Sequence, residues 1–365
     1  MGKAGFEVEI GGMQFRNGFT NCMKLAVFHR GESEFFRIET EGGKVLGGQS
    51  AYPEIISAAF GTKTEIRTFF EVIRKFCMDA GERTFEDSLA KLEKYAGSKA
   101  TEKPGETLNY CSVVRVKNPS IQTNLNIPYS ALYHLDLGDD FEKAKAIASE
   151  MITSYKSTLE DGLKKKLLSF FAQLAYQTYV YTKNKIIPTE FYYPGCCINE
   201  EILDDVESHT EAKTGTKASN VKLAFDVLIK TSQAEVLKEL FTETERGILL
   251  AVLDNYKDFW GKKFENARGG QAVYADSYAF AKVRERVGKN AAACNGADGA
   301  QFVFTEPRMA SIIGIHNGEI VIELRKDNNT VNSFLRKYCV EKGNPECFQN
   351  LFSIIKENYG VSFSG

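Results

Sequence analysis

Residues able to do chemistry are scattered along this 365-residue chain, and few stand at the spacings that chemistry requires. Cys196 and Cys197 follow Tyr192-Tyr193-Pro194-Gly195, a tight turn that displays two adjacent thiols. A nucleophilic cysteine needs its pKa lowered by an imidazole or a helix N-terminus. Asn199-Glu200-Glu201 can open such a helix, and His134 and His209 are the candidate bases. With no histidine close in sequence, the pair reads better as a buried or loop-anchoring one. His134-Leu135-Asp136 with Asp139 and Asp140 offers ligand types that suit a metal. Asp139 and Asp140 also suit the cap of a helix, and no second histidine lies nearby, so neither a metal nor any other cofactor is expected. Gly61-Thr62-Lys63-Thr64 resembles the tail of a phosphate-binding loop, but the earlier glycine of that motif would fall at Ile56, and the preceding residues read as helix.

The most suggestive segment spans 262–289. Lys262, Lys263, Arg268, Lys282, Arg284, Arg286 and Lys289 stand against Glu265, Asp276 and Glu285, in a chain whose formal net charge is −2. Tyr274 and Tyr278 are interleaved with them, and Gly269-Gly270 and Gly288 let a backbone approach closely. Cations that neutralise phosphates, with rings on which bases stack, are what single-stranded nucleic acid needs. The competing reading is a solvated helix face whose rings point inward.

These candidates need elements to position them. Phe6, Val8 and Ile10 alternate with Glu7 and Glu9, a strand with one buried face. Gly11-Gly12, Asn17-Gly18, Arg30-Gly31 and Gly42-Gly43 punctuate the apolar runs that follow, which predicts a meander of hairpins. Ile66, Phe69, Phe70, Ile73, Phe76 and Cys77 recur at helical steps, so Cys77 reads as packing. Ile121–Ile127 reads as a strand, Phe141–Tyr155 as an amphipathic helix and Leu163–Tyr181 as a buried one. Thr242 with Glu245 forms a capping box for a later helix. His316-Asn317-Gly318 between apolar runs is a hairpin signal, and two short helices close the chain.

The expected fold class is α+β: a β-hairpin-rich N-terminal region, a predominantly helical centre, and a C-terminal β-hairpin followed by two short helices. The expected division is 1–100 (meander plus helices), 101–215 (a helical lobe with a short hairpin) and 216–365 (a helical lobe with the basic segment and the C-terminal hairpin). No apolar run of about 18 residues and no N-terminal apolar h-region is present, which predicts no membrane span and a cytoplasmic chain or virion component. Eight cysteines without a Cys-x-x-Cys pair fit reduced thiols better than a disulfide framework.

With 26 Phe and 16 Tyr but no catalytic constellation, the sequence favours assembly over catalysis. The expected function is a self-assembling structural protein, a viral nucleoprotein or capsid-like subunit in layout, that is homo-oligomeric and binds single-stranded RNA or DNA in a local basic groove. The alternatives are an enzyme with a noncontiguous Cys–His site and a protein-binding scaffold that uses an exposed sheet edge.

Overall fold

The computed structural model describes residues 2–9, 15–16, 24–41, 50–79, 85–101, 119–184, 225–231, 233–256, 315–325, 330–340 and 347–365. The strands are β1 (Ala4–Glu9), β2 (Phe15–Arg16), β3 (Lys24–Arg30), β4 (Ser33–Glu41), β5 (Ser50–Ser57), β6 (Ala100–Thr101), β7 (Ser120–Pro128), β8 (Val227–Ile229) and β9 (Glu319–Leu324). The helices are α1 (Lys63–Met78), α2 (Phe85–Ala96), α3 (Asp139–Ser154), α4 (Asp161–Asn184), α5 (Gln233–Leu240), α6 (Glu243–Asn255), α7 (Thr330–Val340) and α8 (Cys347–Tyr359). The chain is therefore α+β, with antiparallel pairing in the sheet. Its contacts group into two compact units, 1–126 with 324–365, and 127–323.

In the first unit the strand order is β6–β3–β4–β5–β1–β7, with β2 paired to β5. Hairpins join β3 to β4 as the glycine signals imply, and Gly31 takes the positive φ of 64° that the turn needs. The sheet is not a plain meander: β1 lies between β5 and β7, so the first strand becomes central. The stretch before Gly61, expected to be helical, is β5, held by pairing with β4 on one side and β1 on the other. Thr62 caps α1 instead of binding phosphate. Its hydroxyl accepts from the Glu65 amide at 3.1 Å, and Glu65 accepts from the Thr62 amide at 3.0 Å.

Strand register sorts the side chains into rows. Ile38, Ile55, Val8 and Ile121 stand opposite one another across β4, β5, β1 and β7, and all four are buried. On this face Phe6 meets Phe70 edge-on at 4.8 Å and Phe69 at 6.1 Å, which docks α1 onto the sheet. Thr123 donates to Asn332 on α7 at 2.7 Å, and Asn332 donates on to the Leu324 carbonyl at 2.6 Å.

The second unit is built on α3 and α4. Leu167, Phe170, Phe171, Leu174 and Tyr176 of α4 are buried, with Gln173 buried among them, as the all-round apolar pattern predicts. Gln173 is satisfied by the Thr231 carbonyl at 3.0 Å and by the Tyr129 hydroxyl at 3.3 Å. The start of α3 departs from expectation: Gly138, at φ 94°, is the cap, and Asp139 and Asp140 lie in the first turn. A side chain at that positive φ would be strained, and its Cβ would come within 2.9 Å of Asp226. Thr242 and Glu245 form the expected box at the start of α6. Asn317 and Gly318 both take positive φ, the requirement of a type I′ turn, and lead into β9.

Candidate functional site

The face of the first unit's sheet turned away from α1 is polar, and it gathers charged groups by register. Glu39 on β4 is opposite Glu54 on β5, and Glu54 is opposite Glu9 on β1. Directly opposed residues hold their Cβ atoms about 4.5–5.5 Å apart, and like charges so placed repel. Glu39 is 9% exposed and Glu54 is 8% exposed, so water screens this row poorly. The parallel row two residues away runs Arg37, Ile56, Glu7 and Gln122.

Polar neighbours hold the carboxylates in place. Gln122 donates to Glu9 Oε1 at 2.9 Å, and Asn124 donates to Glu7 Oε1 at 2.9 Å. Arg37 binds Glu39 through its Nε and donates to Glu34 at 2.9 Å. Burial works against the Arg37 charge, but the hydrogen bonds to Glu34 and Glu39 outweigh it and keep the guanidinium more firmly protonated than usual. Four carboxylates, two amides and one guanidinium thus share one sheet face. Among the described residues, no group of three or more His, Cys, Asp or Glu side chains is arranged as a ready-made metal cage.

The sites expected from local sequence fall elsewhere. Lys262, Lys263, Arg268, Tyr274, Tyr278, Lys282, Arg284, Arg286 and Lys289 lie outside the described residues, as do Cys196, Cys197 and His209. His134 ends a 3₁₀ turn, edge-on to Tyr133 at 5.5 Å. Asp136 accepts from the Gly138 amide at 3.2 Å, which leaves this His–Asp cluster with a structural account. Cys77 is buried, as expected. The sheet-face carboxylates were missed as a site. Their signal is the polar half of the alternation on β1, β4, β5 and β7, and it becomes a cluster only when the strands are paired.

No family model matches the chain, and no curated protein matches it. Among solved structures, the chain is similar to a glutamate-to-glutamine mutant of the VgrG Vibrio cholerae toxin ACD domain in complex with ADP and Mn++. The identity is 13% and the TM-score 0.46, over 91% of this chain and 96% of that one. It is also similar to a Vibrio cholerae toxin from the MARTX/VgrG family, at 13% identity and TM-score 0.45, over 91% and 95%. A likeness this distant transfers neither activity nor ligand. Both similar structures are of Vibrio cholerae toxins, against the expectation of a viral, RNA-binding nucleoprotein or capsid-like subunit. No helix among the described residues is long and apolar enough to cross a membrane.

Proposed function

We propose that the chain is an enzyme working from the polar face of the first unit's sheet, where it acts on a phosphate-bearing substrate together with a divalent cation. The observation that carries this reading is the row of Glu39, Glu54 and Glu9 on three adjacent strands, two of them buried. Folding gains nothing from aligning like charges; a bound cation does. Magnesium-type cations keep several waters and are held by one or two carboxylates plus the substrate's phosphates. That mode needs carboxylates on a rigid platform, which the paired strands β4, β5 and β1 supply.

The residues divide the work accordingly. Glu9 and Glu54 are the carboxylates that would hold the cation, and Gln122 orients Glu9 through the hydrogen bond its amide donates to Oε1. Arg37 stands on the same face, where its bonds to Glu39 and Glu34 fix that end of the carboxylate row. A cation held by these carboxylates would supply Lewis-acid polarisation of a substrate phosphoryl group.

The test is phosphate release from nucleoside triphosphates by the purified chain, with Mg2+ or Mn2+ and with EDTA, beside electron paramagnetic resonance titration of Mn2+. The reading expects cation-dependent turnover and saturable Mn2+ binding, with both falling at least about tenfold in E9Q and E54Q. Mn2+ binding that ignores both substitutions, or none at all, would sink it.

A further inference from the structure

The helical side of the first unit carries a cavity of about 550 Å³ that the sheet-face reading does not use. This volume lies within the usual range of small-molecule sites. One face of α1 supplies Arg67, Glu71 and Lys75; Tyr95 at the end of α2, Tyr338 on α7 and Phe348 on α8 supply the rings. The walls are tied down. Phe348 packs edge-on against Tyr338 at 4.7 Å, and the Tyr338 hydroxyl donates to Glu71 Oε2 at 2.9 Å.

Charge in the cavity is unevenly committed. Glu71 receives both Nε and Nη2 of Arg74, at 3.0 and 2.9 Å, and Lys75 lies 3.6 Å from Oε1, the oxygen that also accepts from Arg74 Nη2. Its negative charge is matched from behind, and the Arg74 bond, ahead of the bond from Tyr338, holds its pKa below the ordinary range. Arg67 is exposed, rests its guanidinium 5.6 Å from the Phe352 ring centroid, and forms no ion pair among the described residues. The cavity therefore combines aromatic walls with a cation that forms no ion pair among the described residues.

We propose that this cavity binds a small molecule with a planar aromatic ring and one carboxylate-like anionic group. The ring packs beside Tyr338 and Phe348, where offset aromatic contact is favourable. The anion takes the guanidinium of Arg67, whose planar fork matches two oxygens, and Lys75 adds attraction from two helical turns along. Arg67, not Lys75, sets the preference for an anion, because Lys75 is shared with Glu71.

Saturation-transfer NMR on the full-length chain in EDTA, with 1-naphthoate as the probe, tests this without involving the sheet face. Uncharged 1-naphthylmethanol and ringless acetate are the comparison ligands. The expected result is saturable 1-naphthoate binding, with both comparison ligands weaker by about tenfold or more. R67Q should lower 1-naphthoate affinity about tenfold with an unchanged melting temperature, since Arg67 is exposed. Equal affinity for 1-naphthylmethanol, indifference to R67Q, or no saturation transfer would each overturn the proposal.

Discussion

Glu9 and Glu54 stand directly opposite one another on antiparallel β1 and β5, and Glu39 extends the same line on β4. Like charges directly opposed on neighbouring strands destabilise a sheet, and the bond from Arg37 to Glu39 offsets this at one end of the row. Replacing Glu9 by glutamine keeps the shape of the side chain and removes the repulsion. E9Q should therefore resist urea slightly better than the parent, by up to about 1 kcal/mol in the absence of divalent cations. The same variant should lose Mn2+ affinity, so stability and binding move in opposite directions. A measurable loss of stability in E9Q would show that the row does not repel.

The Tyr338–Glu71 bond predicts a particular pH profile. Burial first, and then the hydrogen bond to Glu71, push the Tyr338 hydroxyl from its ordinary value of 10.0 up to about 12. A raised pKa contributes stability that is present below pH 10 and disappears as pH rises toward about 12. Glu71 is shifted the other way, below 4.5, so its contribution is present above that pH and disappears as acid protonates it. Y338F should cost about 1 kcal/mol near neutrality. The gap between parent and variant should narrow below pH 4.5 and again above pH 10. Urea melts across this range test it, and a gap of constant size at every pH would contradict the account.

Asn332 links two parts of the first unit that are far apart in sequence, accepting from the buried Thr123 hydroxyl and donating to the Leu324 carbonyl. Removing one partner strands the other in a dry environment, at a cost of about 1–3 kcal/mol. N332A should lower stability by that amount. T123V combined with N332A should cost less than the two single variants added together, because the hydroxyl left stranded in N332A is then gone. Strict additivity in a double-mutant cycle would argue that the two side chains do not depend on each other.

What could be read before folding follows from the range of the interactions. The α1 stripe and the Thr242–Glu245 box are signals spanning three to eight residues, and they appear as expected. The Asn317-Gly318 turn is similarly local, because its two positive φ angles are a demand on those residues alone. Thr62 with Glu65 is the same kind of local capping signal, and its Gly-Thr-Lys-Thr context imitates the end of a phosphate loop without the spacing of one. The carboxylate row is different. Glu9, Glu39 and Glu54 are spread over 45 residues, and each alone is an ordinary solvent-side position on a strand. Only the insertion of β1 between β5 and β7 brings Glu9 level with Glu54, and no local pattern specifies that pairing.

In the second unit, Lys230 next to β8 and Glu323 on β9 form an ion pair at 2.7 Å with side chains only 5% and 1% exposed. Two charges withdrawn from water this far gain little net stability from each other, because desolvation offsets their attraction. Losing one partner is another matter, since the remaining charge stays buried. K230M should therefore destabilise the chain by about 3–5 kcal/mol, which is a large share of a typical domain's stability. K230M with E323L replaces the pair by apolar side chains of similar size and should recover most of that loss, ending near the parent. Thermal unfolding of the parent, the single and the double variants decides the matter. If the double variant is as unstable as K230M, the pair serves more than mutual neutralisation, and the β8–β9 contact itself depends on the charges.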